Sequence, residues 1–303
     1  MNVNSSFFVI FALRFFNYQK YNLQRIILSN NPGPIGIFDS GYGGLTIYDK
    51  IKDVLPQYDY IYLGDNARTP YGSRSFDVVY EFTRQAVLRL FREGCRLVIL
   101  ACNTASAKAL RTIQQIDLPN WDSTRRTLGI IRPTVEAVGA LTQTKHVGVL
   151  GTEGTVDSKS YEMEIGKLFP EVTVTSLACP MWVPIIENNE YAGEGADYFI
   201  KKYPDKILSE DSLIDLLILG CTHYPLIVDK IKKFVPSDIK LLSQGEYVAK
   251  SLVNYLNRHP EIEKMCTKNS NTLFYTTESP DKFAEMTFVF LKKQIRAERI
   301  VLC

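Results

Sequence analysis

The chain has 303 residues, 46% hydrophobic and 22% charged, with a formal charge of +2, the composition of a core-forming protein of one large or two ordinary domains. Three of its 35 basic groups, Arg14, Lys20 and Arg25, fall in the first 33 residues with no acid beside them, so the remainder is nearly neutral. That balance excludes the basic face of a nucleic-acid binder, and six scattered cysteines with no CxxC pair exclude a disulfide framework or structural zinc site.

A reducing, cytoplasmic setting follows from that cysteine usage. Near the N-terminus, SFFVIFALRFF (6–16) is apolar for only seven residues before Arg14, too short to span a bilayer. It has no basic residue ahead of it and no small-residue cleavage site, so neither a membrane anchor nor a signal peptide is expected. Residues 1–32 read as a poorly ordered extension, because the folded pattern begins after Pro32-Gly33-Pro34.

From there, short aliphatic runs alternate with stretches of helical period. PIGIF (34–38) reads as a strand and GGLTIYDKIKDVL (43–55) as a helix entered through a glycine turn. YDYIYL (58–63) is the next strand. SFDVVYEFTRQAVLRLFREG (75–94) sets Val79, Phe82, Ala86 and Leu90 on one helix face, with a serine start and a glycine stop. RLVIL (96–100), TLGII (127–131), HVGVL (146–150), VTVTSL (172–177), LLIL (216–219), IKLL (239–242) and TLFYT (272–276) continue the series. Continuous apolar strands separated by helices predict an α/β fold with mostly parallel sheets covered on both faces.

In such sheets ligands gather beyond the carboxyl ends of the strands. The residues found there are Asp39-Ser40-Gly41, Gly64-Asp65-Asn66, Cys102-Asn103-Thr104, Gly151-Thr152-Glu153, Cys221-Thr222-His223 and Ser243-Gln244. DSGYGG (39–44) lacks the lysine and spacing of a phosphate loop. It is either a tight glycine turn or a turn that points Asp39 and Ser40 into a cleft, with Asp39 an acid/base auxiliary or an ammonium ligand. In GDNARTPYG (64–72), Pro70-Tyr71-Gly72 makes a rigid turn whose amides could hold a carboxylate.

There is also an internal echo. RLVILACNTAS (96–106) and DLLILGCTHYP (215–225) match at two leucines, an isoleucine and a cysteine, which implies two similar halves each presenting one thiol. Helix starts after both cysteines, and His223 after the second, would favour thiolate. Two thiols facing a substrate from opposite sides suit inversion of a stereocentre: one takes a proton from one face, the other delivers a proton to the opposite face. Free thiols titrate near enough to neutrality for that work. A thiol redox sensor and a non-catalytic amino-acid or phosphometabolite binder are the alternatives of a different class.

The set IGIFDSGYGGLT, YLGDNARTPYG, ILACNTAS, GTEGTVDS and ILGCTHYPL, in this order, resembles the glutamate racemases, the cofactor-independent branch of the aspartate/glutamate racemase family. The resemblance covers about residues 34–292. It implies two pseudo-symmetric three-layer α/β domains, 33–127 plus 236–303 and 128–235, with the active site in the cleft between them. It implies Cys102 as the base toward D-glutamate and Cys221 as the base toward L-glutamate. Asp39 and His223 would assist the proton transfers, with Glu153 a helper near the second thiol. Ser40, Pro70, Tyr71, Gly72, Asn103, Thr104, Thr222, Asp39 and His223 would bind the amino acid. No cofactor and no metal are implied; D-glutamate supply for peptidoglycan, a homodimer and a cell-wall-precursor regulator are. A racemase of aspartate is the near alternative. The resemblance gives no role to the extension, to SQG (243–245) or to Arg132, which is a surface residue or an anion contact.

Overall fold

The computed structural model describes residues 30–303, so all but the last three residues of the expected extension over 1–32 lie outside it. Ten strands form among the described residues: β1 (Ile35–Asp39), β2 (Tyr60–Gly64), β3 (Leu97–Leu100), β4 (Arg126–Gly129), β5 (His146–Gly151), β6 (Thr173–Ala178), β7 (Leu216–Gly220), β8 (Lys240–Leu242), β9 (Thr272–Thr276) and β10 (Glu298–Arg299). They make two sheets, ordered β10-β9-β2-β1-β3-β4 and β6-β5-β7-β8. All their pairings are parallel.

Every residue of β1, β2, β3 and β7 is buried, the outcome expected of apolar runs covered from both sides. On one face of the first sheet, Ile35, Ile37, Tyr60, Tyr62 and Leu97 pack with Val248, Ala249 and Leu252 of helix Gly245–Arg258 and with Phe283 of helix Pro280–Leu291. On the other face, Phe38, Leu63, Val98 and Leu100 meet Val79, Ala86 and Leu90 of helix Phe76–Arg92. That helix starts where Ser75 accepts the Val78 N–H, and Gly94 follows its end at φ +95°. The second sheet is sandwiched the same way, with Leu150, Leu217 and Leu219 against Trp182, Ile200 and Ile207, and Val147, Val149 and Ile218 against Val135, Tyr161 and Ile165. Each such fully buried aliphatic side chain stabilises the fold by about 1.5–3 kcal/mol.

The chain crosses between sheets slightly later than the sequence places its boundaries. β4 pairs with β3 as far as Gly129, two residues beyond the expected break at 127. β8 pairs with β7 in the second sheet, whereas the sequence places residues from 236 onward in the first unit. Ile130 and Ile131, read as strand, turn into helix Ile131–Glu136. No helix of the described residues is long and apolar enough to cross a membrane.

Candidate active site

Four adjacent strands of the first sheet, β2-β1-β3-β4, repeat the order of the second, β6-β5-β7-β8. In that correspondence β3 matches β7, and the two cysteines of the sequence echo sit at equivalent strand ends. Both line one cavity of about 190 Å³, bounded by residues that follow β1, β2 and β3 on one side and β5, β6 and β7 on the other. Every residue expected at the site lines it. A larger cleft, about 810 Å³, lies along helix Ile131–Glu136 and helix Gly245–Arg258 and contains neither thiol; chemistry, not size, selects the smaller cavity.

Cys102 precedes helix Asn103–Lys108, and its Sγ accepts the Ala105 N–H at 3.4 Å while lying 3.1 Å from Ser40 Oγ. Those donors favour thiolate, but burial and the nearby Asp39 carboxylate outweigh them and push the thiol up to about 12. Burial thus opposes the activation expected from the helix start: one N–H in the first turn of a six-residue helix is weighed against desolvation. Cys221 Sγ lies 3.7 Å from His223 Nδ1. Both cysteines are free thiols.

Asp39 Oδ2 accepts the N–H groups of Gly41 and Gly44 at 3.1 and 3.0 Å, and burial raises its carboxyl above the usual range against the pull of His223. The glycines of DSGYGG serve approach rather than phosphate binding. A Cβ on Gly43 would stand 2.4 Å from both His223 Nδ1 and Thr222 Oγ1. Thr46 Oγ1, just beyond the turn, lies 3.0 Å from the Thr222 carbonyl, so the two halves touch here.

The turn at 69–72 is held from behind. Asp65, fully buried, accepts Arg68 Nε at 2.7 Å, Thr277 Oγ1 at 2.9 Å and the Tyr71 hydroxyl. The Tyr71 hydroxyl is thus spent on Asp65, which leaves backbone amides and the Thr69 hydroxyl as the turn's donors. The Gly72 carbonyl accepts the Gly154 N–H at 2.6 Å, closing the loop onto the second half. Thr104 Oγ1 meets Thr152 Oγ1 at 2.9 Å across the same seam.

His223 Nε2 lies 2.9 Å from Glu187 Oε1, at the end of helix Trp182–Glu187. Burial opposes a charged ring, but Cys221 and Glu187 on its two nitrogens raise it well above the ordinary imidazole range. Glu153 lines the rim, exposed, and its side chain makes no hydrogen bond among the described residues. The carboxylate beside the second thiol's histidine is therefore Glu187.

A sequence profile of the family described as Asp/Glu/Hydantoin racemase matches residues 35–250. The chain belongs to this family. It is an amino-acid racemase. The curated glutamate racemase of Streptococcus agalactiae serotype III is 37% identical over 270 residues, covering 89% of this chain and 98% of that protein. The crystal structure of glutamate racemase isoform RacE1 from Bacillus anthracis superposes with a TM-score of 0.80 at 34% identity, over 89% of this chain and 98% of its own. That of the Francisella tularensis glutamate racemase in complex with D-glutamate gives 0.78 at 34%, over the same shares.

Two residues of this racemase's cavity region were not legible as such. Glu187 ends an apolar helix, WVPIIE, and carries no motif; extending the strand-end rule from β6 into the helix that follows it would have led there. Gln244, to which the sequence gives no role, is 2% exposed and bonded to Asn103. Arg132 pairs with Glu136 and Glu164 at the surface, so it is no part of the site.

Proposed function

We propose that this racemase interconverts L- and D-glutamate with Cys102 and Cys221 as its two bases. The observation that carries the reading is the pair of thiols at equivalent strand ends of two like-ordered sheets, lining one small cavity. One cysteine, as thiolate, takes the α-proton; the other, as thiol, delivers its proton to the opposite face. The two have then exchanged protonation states, and the reverse reaction starts from that form. Cys102 acts on D-glutamate and Cys221 on L-glutamate.

Ser40 Oγ donates to Cys102 when it is thiolate, and His223 shares a proton with Cys221 while Glu187 orients the ring. Asp39 sits between the Cys102 side and His223 and receives the ammonium group. The Tyr71 and Gly72 amides, with Pro70 fixing their turn, and the donors of Asn103, Thr104 and Thr222 hold the carboxylates. They also stabilise the negative charge that develops at the α-carbon. The helper role expected of Glu153 passes to Glu187. The α/β domains divide after Gly129 and after Leu242, following sheet membership. The product serves peptidoglycan synthesis in the cytoplasm; the active form is a homodimer, and a cell-wall precursor is its regulator.

Circular dichroism of D- or L-glutamate incubated with pure protein and no added cofactor tests the reading. Both enantiomers should relax to the same mixture, and Cys102→Ser or Cys221→Ser should slow this about 10²–10⁴-fold. Aspartate, one methylene shorter, should react about 10–200-fold more slowly. Wild-type protein that leaves both glutamates unchanged, or serine variants as fast as wild type, would sink the proposal.

A further inference from the structure

Gln244 follows β8 and stands at the N-cap of helix Gly245–Arg258, yet its side chain makes no cap bond. It is spent instead on a buried polar cluster. Asn103 Nδ2 donates to Gln244 Oε1 at 2.6 Å, and Gln244 Nε2 lies 3.1 Å from Asn103 Oδ1. The same Nε2 is 2.9 Å from Thr134 Oγ1 and 2.9 Å from the Tyr161 hydroxyl. All four side chains are 3% exposed or less.

Hydrogen accounting favours one arrangement of this cluster, the one that makes the most bonds. The Thr134 hydroxyl donates to the Ile130 carbonyl at 2.8 Å, and the Tyr161 hydroxyl donates to Asn103 Oδ1 at 2.8 Å. Both oxygens therefore face Gln244 as acceptors, so its NH₂ must point at them and its carbonyl at Asn103. The Asn103 amide is fixed in turn, its oxygen taken by Tyr161 and one of its two hydrogens by Gln244. One amide hydrogen and the backbone N–H remain, on a residue that lines the cavity next to Cys102.

The cluster also joins distant parts of the fold. Thr134 and Gln244 stand on the two segments where the chain passes from one sheet toward the other. Tyr161 packs beside the second thiol's strand: a Cβ on Gly220, the residue before Cys221, would be 3.3 Å from its ring.

We propose that Gln244 is a positioning residue that locks the Asn103 carboxamide beneath the cavity and so presents its remaining amide hydrogen to a substrate carboxylate. The kinetic part of this rests on the glutamate reading above; the lock itself does not.

Two measurements on the full chain test it. In nitrogen-15 spectra the Asn103 side-chain NH₂ should be protected from exchange in wild type and lose that protection in Gln244→Leu. In racemisation assays Gln244→Leu should raise KM roughly tenfold in both directions with kcat little changed, the mark of a lost ground-state contact to a charged group. Tyr161→Phe keeps the ring packing, removes the bond from the other side and should raise KM in the same sense, so the test survives a leucine variant that does not fold. Gln244→Leu combined with Asn103→Ala should raise KM no further than Asn103→Ala alone.

Unchanged protection in Gln244→Leu, a lowered Tm with wild-type KM in both Gln244→Leu and Tyr161→Phe, or additive effects in the double variant would overturn the proposal. Wild-type protein inactive on glutamate would instead fail the substrate reading, and the exchange measurement would still decide the lock.

Discussion

Cys102 and Cys221 occupy matched strand ends in unmatched company. Cys102 has a hydroxyl, one backbone N–H and a carboxylate nearby; Cys221 has an imidazole backed by Glu187. Burial first and Asp39 second push the Cys102 thiol up to about 12, so this cysteine is expected to rest as a thiol. Alkylation by iodoacetamide, followed peptide by peptide with mass spectrometry, checks this. Cys303, exposed at the end of the chain, should label quickly. Cys102 should label slowly at pH 7 and speed up about tenfold per pH unit through pH 10 without a plateau, because only the thiolate reacts. A plateau below pH 9 would contradict the assignment. At this scale LVILACNTAS and LLILGCTHYP made the two thiols legible. The direction of the Cys102 shift was not, because helix starts can be read from sequence whereas desolvation depends on what the fold later packs around the sulfur. Glu187 against Glu153 is the same lesson: adjacency to a strand end is local, but contact with His223 joins residues 36 apart.

Strands with unbroken apolar runs were readable, since burial on both faces leaves no polar alternation to confuse them. β10 was not. It is two exposed residues, Glu298 and Arg299, and nothing in their side chains marks a strand that exists by pairing with β9. β4 stops at Gly129 because β3 ends opposite it, a register fact rather than a propensity. The loops that set such registers carry testable energy. Asp59, just before β2, accepts the N–H groups of Asn269 and Asn271 at 3.1 and 2.9 Å and Asn269 Nδ2 at 2.7 Å, tying β2 to the segment entering β9. Burial pulls its carboxyl upward, but these bonds and one from Thr267 hold it below the ordinary 3.8. A depressed carboxyl contributes stability that is present above its unfolded pKa and is lost as pH falls through the folded one. Asp59→Asn should therefore cost about 1–3 kcal/mol at pH 7, and the gap from wild type should narrow in denaturant titrations at pH 3. An equal gap at both pH values would contradict it.

For the whole molecule, the echo between two ten-residue stretches stood for a larger repetition, the shared order β2-β1-β3-β4 and β6-β5-β7-β8. The thiol match was legible because a cysteine after an aliphatic run is uncommon twice over. Strand order was not, since it depends on which side of β1 and β5 each helix crosses. The cavity follows from that order: both cysteines stand at the carboxyl ends of strands beside a sheet's central strand, where crossovers diverge and leave a crevice. Gly43 lets His223 approach and the Gly72–Gly154 bond closes the far wall, so the site is made from both halves at once. The central claim is that two thiols work on opposite faces of one carbon. Its most direct measurement is proton NMR of L- or D-glutamate turned over in D₂O at early times. The product enantiomer should carry deuterium at the α-carbon while recovered substrate stays protonated. Deuterium entering substrate as fast as product would mean a single base and would contradict the account.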